Sequence, residues 1–369
     1  MHKECHSLEL KSALLQLVRL GIGSSADTES LPENLAMNEL EALANRQGLL
    51  AIVFDGIAQL PETIRPQQLV WLRWIGMAMQ EEKRFNQQWN VACKMAELFH
   101  RHHIRTFVLK GTVVSECYPK PQHRVSSDMD CFLLSVEGET DVWEKGNRLI
   151  EEAGYEVGRG FYKNSSFHLP GLTVENHRYM VPFRGNERLR KLEMMLQGMM
   201  KDSVACHTYN DENRFDGTEL WRPPIMVSAL FLIEHAYSHF LHEGLTWRHV
   251  LDWVLFSRKH CQAIDWDELD ARIDEFGFRK FYDAYIRMGQ VLLGDILETE
   301  LTKPEKKMLA DVWAPLDLHE TLHGMKGKLL LAGNTWRARW KYHYFSPISM
   351  PHALWIQMKG FLFMKDPKI

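Results

Sequence analysis

The chain is 369 residues long, more than one ordinary domain, with 45% hydrophobic and 25% charged residues and no surplus of glycine or proline, which excludes a disordered or fibrous protein. Its 44 lysines and arginines against 48 aspartates and glutamates leave a formal net charge of -4, which excludes a protein that coats nucleic acid by charge alone. The six cysteines, Cys5, Cys93, Cys117, Cys131, Cys206 and Cys261, form no CxxC pair and no framework of secreted type, so they read as reduced thiols.

The amino terminus, MHKECHSLELKSALLQL, lacks the charged-then-apolar layout of a secretion signal, and a cytoplasmic location is expected. Residues 1–103 read as a helical region, clearest where Phe85, Trp89, Ala92, Ala96, Phe99 and His103 recur every three or four positions. From Ile104 the pattern changes to short β-like runs, IRTFVL, DMDCFLL, YEV and LTVEN, divided by glycine and proline. Thr112 to Tyr118 is long enough for two helical turns, and Pro119 to Ser127 reads as a loop. Asp141 to Ala153 places Val142, Leu149, Ile150 and Ala153 on one helical face before Gly154 stops it. The order β-α-β-α-β-β predicts an α+β fold, with a small mixed sheet over residues 104–185 and helices packed on it.

Helical spacing returns over residues 186–335, as in Leu189, Leu192, Leu196 and Met199, or Trp247, Val250, Leu251 and Val254. Asp265 is placed to cap a helix starting at Trp266, and Gly277 to end it. The most apolar stretch, Ile225 to Ile233, breaks at Glu234 and His235, too short for a membrane span of roughly 20 residues. Residues 336–369, with TWRARWKYHYF just before and within their start, interleave aromatic and basic residues. Such a segment suits base stacking or a membrane surface, but docking of its aromatics on the chain's own helices is the favoured reading.

In Ser127-Asp128-Met129-Asp130-Cys131-Phe132 the aspartates sit two apart in a predicted strand, so both side chains leave one face while Met129, Cys131 and Leu133 leave the other. Two acids on a solvated strand face would give the same pattern. A hard divalent cation such as Mg²⁺, which takes carboxylate oxygens and substrate phosphates, would explain it chemically. Along LTVENH, Thr173, Glu175 and His177 alternate with Leu172 and Val174, and Glu175 is the candidate third carboxylate, with Glu156 in reserve. Polymerase-like transfer needs such an acid because the phosphorus must be engaged from a second side.

The segment LKGTVVSECYPKPQHRVSSDMDCFLL, Leu109 to Leu134, resembles the nucleotidyltransferase superfamily of polymerase-beta-like fold. It is most similar to an uncharacterised bacterial branch with Lys-Gly, then Tyr-Pro, then Arg, leading into Asp-x-Asp. Lys110, Gly111, Tyr118, Pro119, Arg124, Asp128 and Asp130 match that pattern, and Glu175 followed by His177 matches its later acid and histidine. The motif covers about 25 residues, and a looser resemblance runs from about 95 to 260. The resemblance implies that Asp128, Asp130 and Glu175 bind Mg²⁺ or Mn²⁺ and carry catalysis. Lys110, Gly111, Thr112 and Arg124 would then hold the triphosphate, Gly111 by close backbone approach at the start of a short helix and Thr112 through its hydroxyl. Lys110 and Arg124 suit phosphate oxygens but could equally pair with the aspartates.

His235 and His239, four apart on one helical face, could bind zinc, but the glutamate precedes the first histidine and the arrangement is not HExxH. Core or interface histidines are the better reading, and Arg248 with Asp252 reads as an intrahelical ion pair. The function expected is Mg²⁺- or Mn²⁺-dependent transfer of a nucleoside monophosphate from a nucleoside triphosphate, ATP first, to an acceptor hydroxyl, releasing pyrophosphate. The acceptor could be a small molecule, a tRNA or a protein. Two alternatives stand beside it. One is a degenerate nucleotidyltransferase fold that only binds, as a toxin-antitoxin or defence component; the other is a metal hydrolase using His235, His239 and Asp252.

Overall fold

Apolar residues at helical spacing build the first third of the chain into α1 (His2–Gly21), α2 (Met37–Arg46), α3 (Leu50–Ala58) and the long α4 (Gln68–His100). In α4, Trp74, Ala78, Ala92, Met95, Ala96 and Phe99 are the buried positions. The structure, a computed structural model, describes residues 2–26, 31–32, 35–159, 162–205, 213–314 and 336–363. Cys206 and the side chain of Cys5 lie outside the described residues; Cys93, Cys117, Cys131 and Cys261 are free thiols.

The sheet begins with β1 (Ile104–Val108), followed by the single turn α5 (Thr112–Ser115), then β2 (Asp128–Ser135), α6 (Val142–Glu152), β3 (Val157–Gly158), β4 (Asn164–Leu169) and β5 (Leu172–His177). A two-residue β6 (Leu220–Trp221) closes one edge, giving six strands in the order β3-β4-β5-β2-β1-β6. The sheet is mixed: β2 runs antiparallel to β1 and parallel to β5, and β6 runs parallel to β1. The fold is therefore α+β, as expected. Two strands were not foreseen. β4 reads NSSFHL and looks like a loop, although Ser165, Phe167 and Leu169 face in and Ser166 and His168 face out; β6 is too short to carry a period.

Alternation sorts the faces of β2. Met129, Cys131 and Leu133 pack with Phe167 and Val174 against α4 and α6. The opposite face, with Asp128, Asp130 and Phe132, turns toward helices that follow the sheet: α7 (Glu187–Ala205), α8 (Ile225–His242), α9 (Trp247–Lys259), α10 (Trp266–Glu275), α11 (Arg279–Leu293) and α12 (Lys303–Trp313). Asp265 caps α10 by accepting from the Glu268 N–H at 2.9 Å, and Gly277 follows at φ 70°. The helical regions on either side of the sheet share one core. Buried Gln47 donates to the Val312 carbonyl at 3.1 Å and accepts from the Trp247 N–H at 2.8 Å, and Arg19 donates to the Leu292 and Val291 carbonyls at the end of α11.

The last described helices are α13 (Arg339–Phe345) and α14 (Met350–Phe363). Lys341 is 1% exposed, donating to Asp311 at 2.8 Å and to the Phe240 carbonyl at 2.7 Å, while Tyr342 and Phe345 are buried. The aromatic and basic segment thus docks on α8 and α12; its side chains beyond Ile356 lie outside the described residues.

The crossing of α1 and α3 depends on glycine. A Cβ on Gly56 would lie 2.0 Å from the Leu17 carbonyl oxygen, and one on Gly21 2.2 Å from that of Ile52. Gly198, inside α7, has nothing within 4 Å of such a Cβ. Gly56→Ala should destabilise the protein by about 2 kcal/mol or more through overpacking, whereas Gly198→Ala should stabilise it by about 0.5–1 kcal/mol through helix propensity. Urea unfolding of both variants tests this pair, and equal effects would contradict the close crossing.

A second tie joins α3 and α4 to the loop before β2. His123, 1% exposed, donates from Nδ1 to Asp55 at 2.6 Å and from Nε2 to Glu82 at 2.9 Å, and Lys120 donates to the other Asp55 oxygen at 2.6 Å. Burial alone would depress the ring's pKa, but the two carboxylate hydrogen bonds outweigh it and raise it. An imidazolium whose proton is held more firmly when folded stabilises the protein fully below the unfolded value of about 6.5, and that contribution is lost as pH rises through the folded value. The stability difference between wild type and His123→Gln should be largest near pH 5.5 and shrink above about pH 6.5. Thermal unfolding across that range measures it, and a pH-independent difference would sink the assignment.

Candidate active site

At the end of β1 the backbone turns through Gly111, whose φ of 81° favours glycine and brings it within 3.5 Å of the Asp128 carbonyl oxygen, measured from where a Cβ would stand. The turn aims Lys110, a residue only 7% exposed, back under α8, where its ammonium hydrogen-bonds to His235 Nε2. Burial pushes the Lys110 pKa down to about 8; Asp130 and Asp128 oppose this, and Arg248 and Arg124 add to it. Thr112 starts α5 but lines a small side pocket that it shares with Ser126 and Asp128 rather than the main cleft.

The parallel pairing of β2 with β5 sets Asp130 opposite Glu175, Asp128 opposite Thr173 and Phe132 opposite His177. Asp130 is 4% exposed, and its Oδ1 accepts from His177 Nε2 at 2.9 Å. Burial would raise its pKa, but the hydrogen bond and charge of His177, with Lys110 and Lys163, hold the carboxyl well below the usual range. The Nδ1–H of His177 donates to the Tyr179 carbonyl at 3.1 Å, and Glu175 Oε2 lies 3.6 Å from Nε2. Burial and Lys163 would lower the His177 pKa; hydrogen bonding to Asp130 and Glu175 reverses this and raises it. Glu175 also accepts from Asn164 Nδ2 at 2.6 Å.

Asp130, Glu175 and His177 present one donor atom each within 4.8 Å of one another. Two carboxylates beside an imidazole form a donor set that fits a divalent cation. Asp128 opens on the same cleft, partly exposed and accepting from Ser127 Oγ at 3.1 Å, but falls outside that cluster. Glu156, the reserve acid, is exposed at the β3 edge and does not line the cleft.

The cleft has a volume of about 1540 Å³ and runs between the acid-bearing sheet face, α8 and the start of α9. Its cations are Lys110, Lys163 and Arg248 near the acids, with Lys11, Arg46 and Arg184 along the wall. Lys163, Arg248 and Glu234 were not among the expected site residues. Glu234 carried a signal: an acid directly after nine apolar-rich helical positions must be buried or face a cleft. It is 2% exposed, and burial pushes its carboxyl up to about 7, with Lys163 opposing and Glu193 reinforcing the shift.

Arg124 does not line the cleft, contrary to its expected place beside the phosphates. Its guanidinium is buried and donates from Nε and Nη2 to Asp252 at 2.7 and 2.8 Å, while the Tyr118 hydroxyl donates to the same carboxylate at 2.7 Å. Burial would raise the Asp252 pKa, but the charge and hydrogen bonds of Arg124 lower it. Asp252 is therefore not the partner expected for Arg248, which lines the cleft and donates to the Val125 carbonyl at 2.8 Å. It is equally unavailable as a metal ligand beside His235 and His239. Those histidines line up in a row instead: the His235 and His239 rings meet edge-on with centroids 4.4 Å apart, and the His249 ring lies tilted 5.0 Å from His239. Burial pushes both His235 and His249 well below the usual imidazole range, so they are neutral.

A family model described as an uncharacterised nucleotidyltransferase matches residues 33–294. No curated protein matches the chain, and no solved structure does.

Removing one member of a buried ion pair leaves the other uncompensated, so Arg124→Ala should cost about 3–5 kcal/mol of stability. Arg248→Ala, which leaves the Arg124–Asp252 pair intact, should cost far less. Urea unfolding separates the two, and a small loss in Arg124→Ala would return that residue to the ligand-binding candidates.

Proposed function

The chain belongs to the uncharacterised nucleotidyltransferase family, and from that premise we propose that it moves a nucleoside monophosphate from a nucleoside triphosphate, ATP first, to an acceptor hydroxyl with release of pyrophosphate. The observation that carries this reading is the pairing of Asp130 with Glu175 on adjacent parallel strands, beside Asp128, at the floor of a cleft holding Lys110, Lys163 and Arg248. Asp128, Asp130 and Glu175 would hold Mg²⁺ or Mn²⁺, which when bound supplies charge neutralisation at the phosphates. No helix among the described residues is long and apolar enough to cross a membrane, and we assign this chemistry to the cytoplasm, where its donor is available.

In this proposal Lys110 and Arg248 take phosphate oxygens, arginine by its planar fork and lysine as a point charge. Lys163, whose charge bears on Asp130, His177 and Glu234, joins them from the loop into β4. The acceptor oxygen attacks the α-phosphorus, its proton passes to Glu175 or Glu234, and pyrophosphate leaves. Glu234 suits proton transfer near neutral pH because burial pushes its pKa up to about 7. Most of the rate would come from positioning and fixed charge rather than covalent chemistry.

Calorimetric titration of ATP into wild type, with and without Mg²⁺, should show metal-dependent binding that Asp128→Ala/Asp130→Ala abolishes. Pyrophosphate release should fall by about two orders of magnitude or more in Asp128→Ala alone. Metal-dependent binding without turnover would favour a degenerate fold that only binds; binding unchanged in the double variant would overturn the assignment of the site.

A further inference from the structure

The side chain least exposed in the acid cluster is an imidazole. His177 is 1% exposed, and it lies on β5 two residues after Glu175, on the same face and beside Asp130 of the neighbouring strand. Its ring is held from both sides. Nδ1 donates to the Tyr179 carbonyl, a backbone group fixed in turn by the Tyr179 N–H donating to the Lys163 carbonyl at 3.0 Å, and Phe231 packs edge-on against the ring at 6.2 Å. With Nδ1 committed to a carbonyl, Nε2 is the nitrogen turned toward Asp130 Oδ1 at 2.9 Å and Glu175 Oε2 at 3.6 Å.

Two features separate this arrangement from an ordinary buried ion pair. Metal-bound histidines characteristically donate their second nitrogen to a backbone carbonyl or carboxylate, which fixes the tautomer and aims the ring; the Tyr179 carbonyl does this for His177. The spacing also fits, because neighbouring donors in one coordination shell with bonds of about 2.1 Å stand about 3 Å apart. Oxygens of both carboxylates already converge on this one nitrogen, at 2.9 and 3.6 Å, as ligands around a cation would.

We infer that, when a cation binds, His177 Nε2 releases to solvent the proton it donates to Asp130 and joins Asp130 and Glu175 as a ligand of the cation site, and that this site therefore prefers a nitrogen-accepting divalent ion such as Mn²⁺ over Mg²⁺. The inference rests on the nucleotidyl-transfer reading of the same site and refines its choice of ion. Mg²⁺ is served by oxygen ligands and keeps several waters, whereas imidazole nitrogen favours transition ions. His177→Gln should lower Mn²⁺ affinity by about tenfold or more and Mg²⁺ affinity by less, narrowing the ratio between them.

The test is pulsed electron paramagnetic resonance of Mn²⁺ added to the full-length protein, alone and with a non-hydrolysable ATP analogue. A ¹⁴N modulation from a directly bound imidazole is expected in wild type, replaced by a ¹⁵N pattern after labelling with ¹⁵N-histidine, lost in His177→Gln and kept in His235→Gln. If His177→Gln fails to fold, a ¹⁵N-histidine signal kept in His235→Gln, His239→Gln, His242→Gln and His249→Gln, the other histidines lining the cleft, still assigns the nitrogen to His177. Bound Mn²⁺ with an oxygen-only shell, or nitrogen modulation lost in His235→Gln and kept in His177→Gln, overturns the inference and leaves the nucleotidyl-transfer reading in place. No bound Mn²⁺ under either condition overturns both.

Discussion

An isolated carboxylate taken out of water is among the costliest groups a fold can contain, and Asp130 is buried in the middle strand pair of the sheet. Its surroundings offset that cost in layers. His177 donates to it from the next strand, and the charges of Lys110 and Lys163 bear on it from two loops. Lys110 is itself desolvated and passes a hydrogen bond on to neutral His235. A run of charged and polar groups therefore extends from the sheet to α8 along the wall of the cleft. The electrostatics and the geometry of the site have the same origin: β2 and β5 are parallel and in a register that sets Asp130 against Glu175.

A second buried charge fastens the loop that leads into β2. Arg124, with Tyr118, occupies Asp252 on α9 and so binds the loop before the aspartate pair to the helical region behind it. Asp252 and Arg248 are one helical turn apart and could have paired with each other. The bidentate partner from the loop wins because two parallel charge-assisted bonds in a desolvated setting outweigh one intrahelical contact. The consequence is functional, since Arg248 is left facing the cleft. The His123, Asp55 and Glu82 cluster fixes the same loop from the opposite side, against α3 and α4.

The helical regions flanking the sheet belong to one packed body. Leu14, Leu17 and Val18 of α1 share a core with Trp247 of α9, Leu292 of α11 and Val312 of α12. The cleft is thus a gap between the sheet's acid face and a continuous helical wall. That wall supplies Glu234, His235 and His239 from α8, a helix whose composition is otherwise that of core, and His249 from α9.

Much of this was present in the sequence because it depends on local periodicity. The alternation in Asp128-Met129-Asp130-Cys131 assigns the acids to one face of a strand whatever that strand pairs with, and glycine at 111 marks a backbone turn that a side chain would strain. Thr173, Glu175 and His177 share a face by the same rule. Pairing partners are a different matter. No local pattern says that β2 and β5 are parallel neighbours, that Arg124 reaches Asp252 across 128 positions, or that Lys163 and Arg248 arrive beside the acids. The competition for each buried charge is settled by which groups the whole chain brings within hydrogen-bonding distance, and that depends on tertiary packing rather than on sequence spacing.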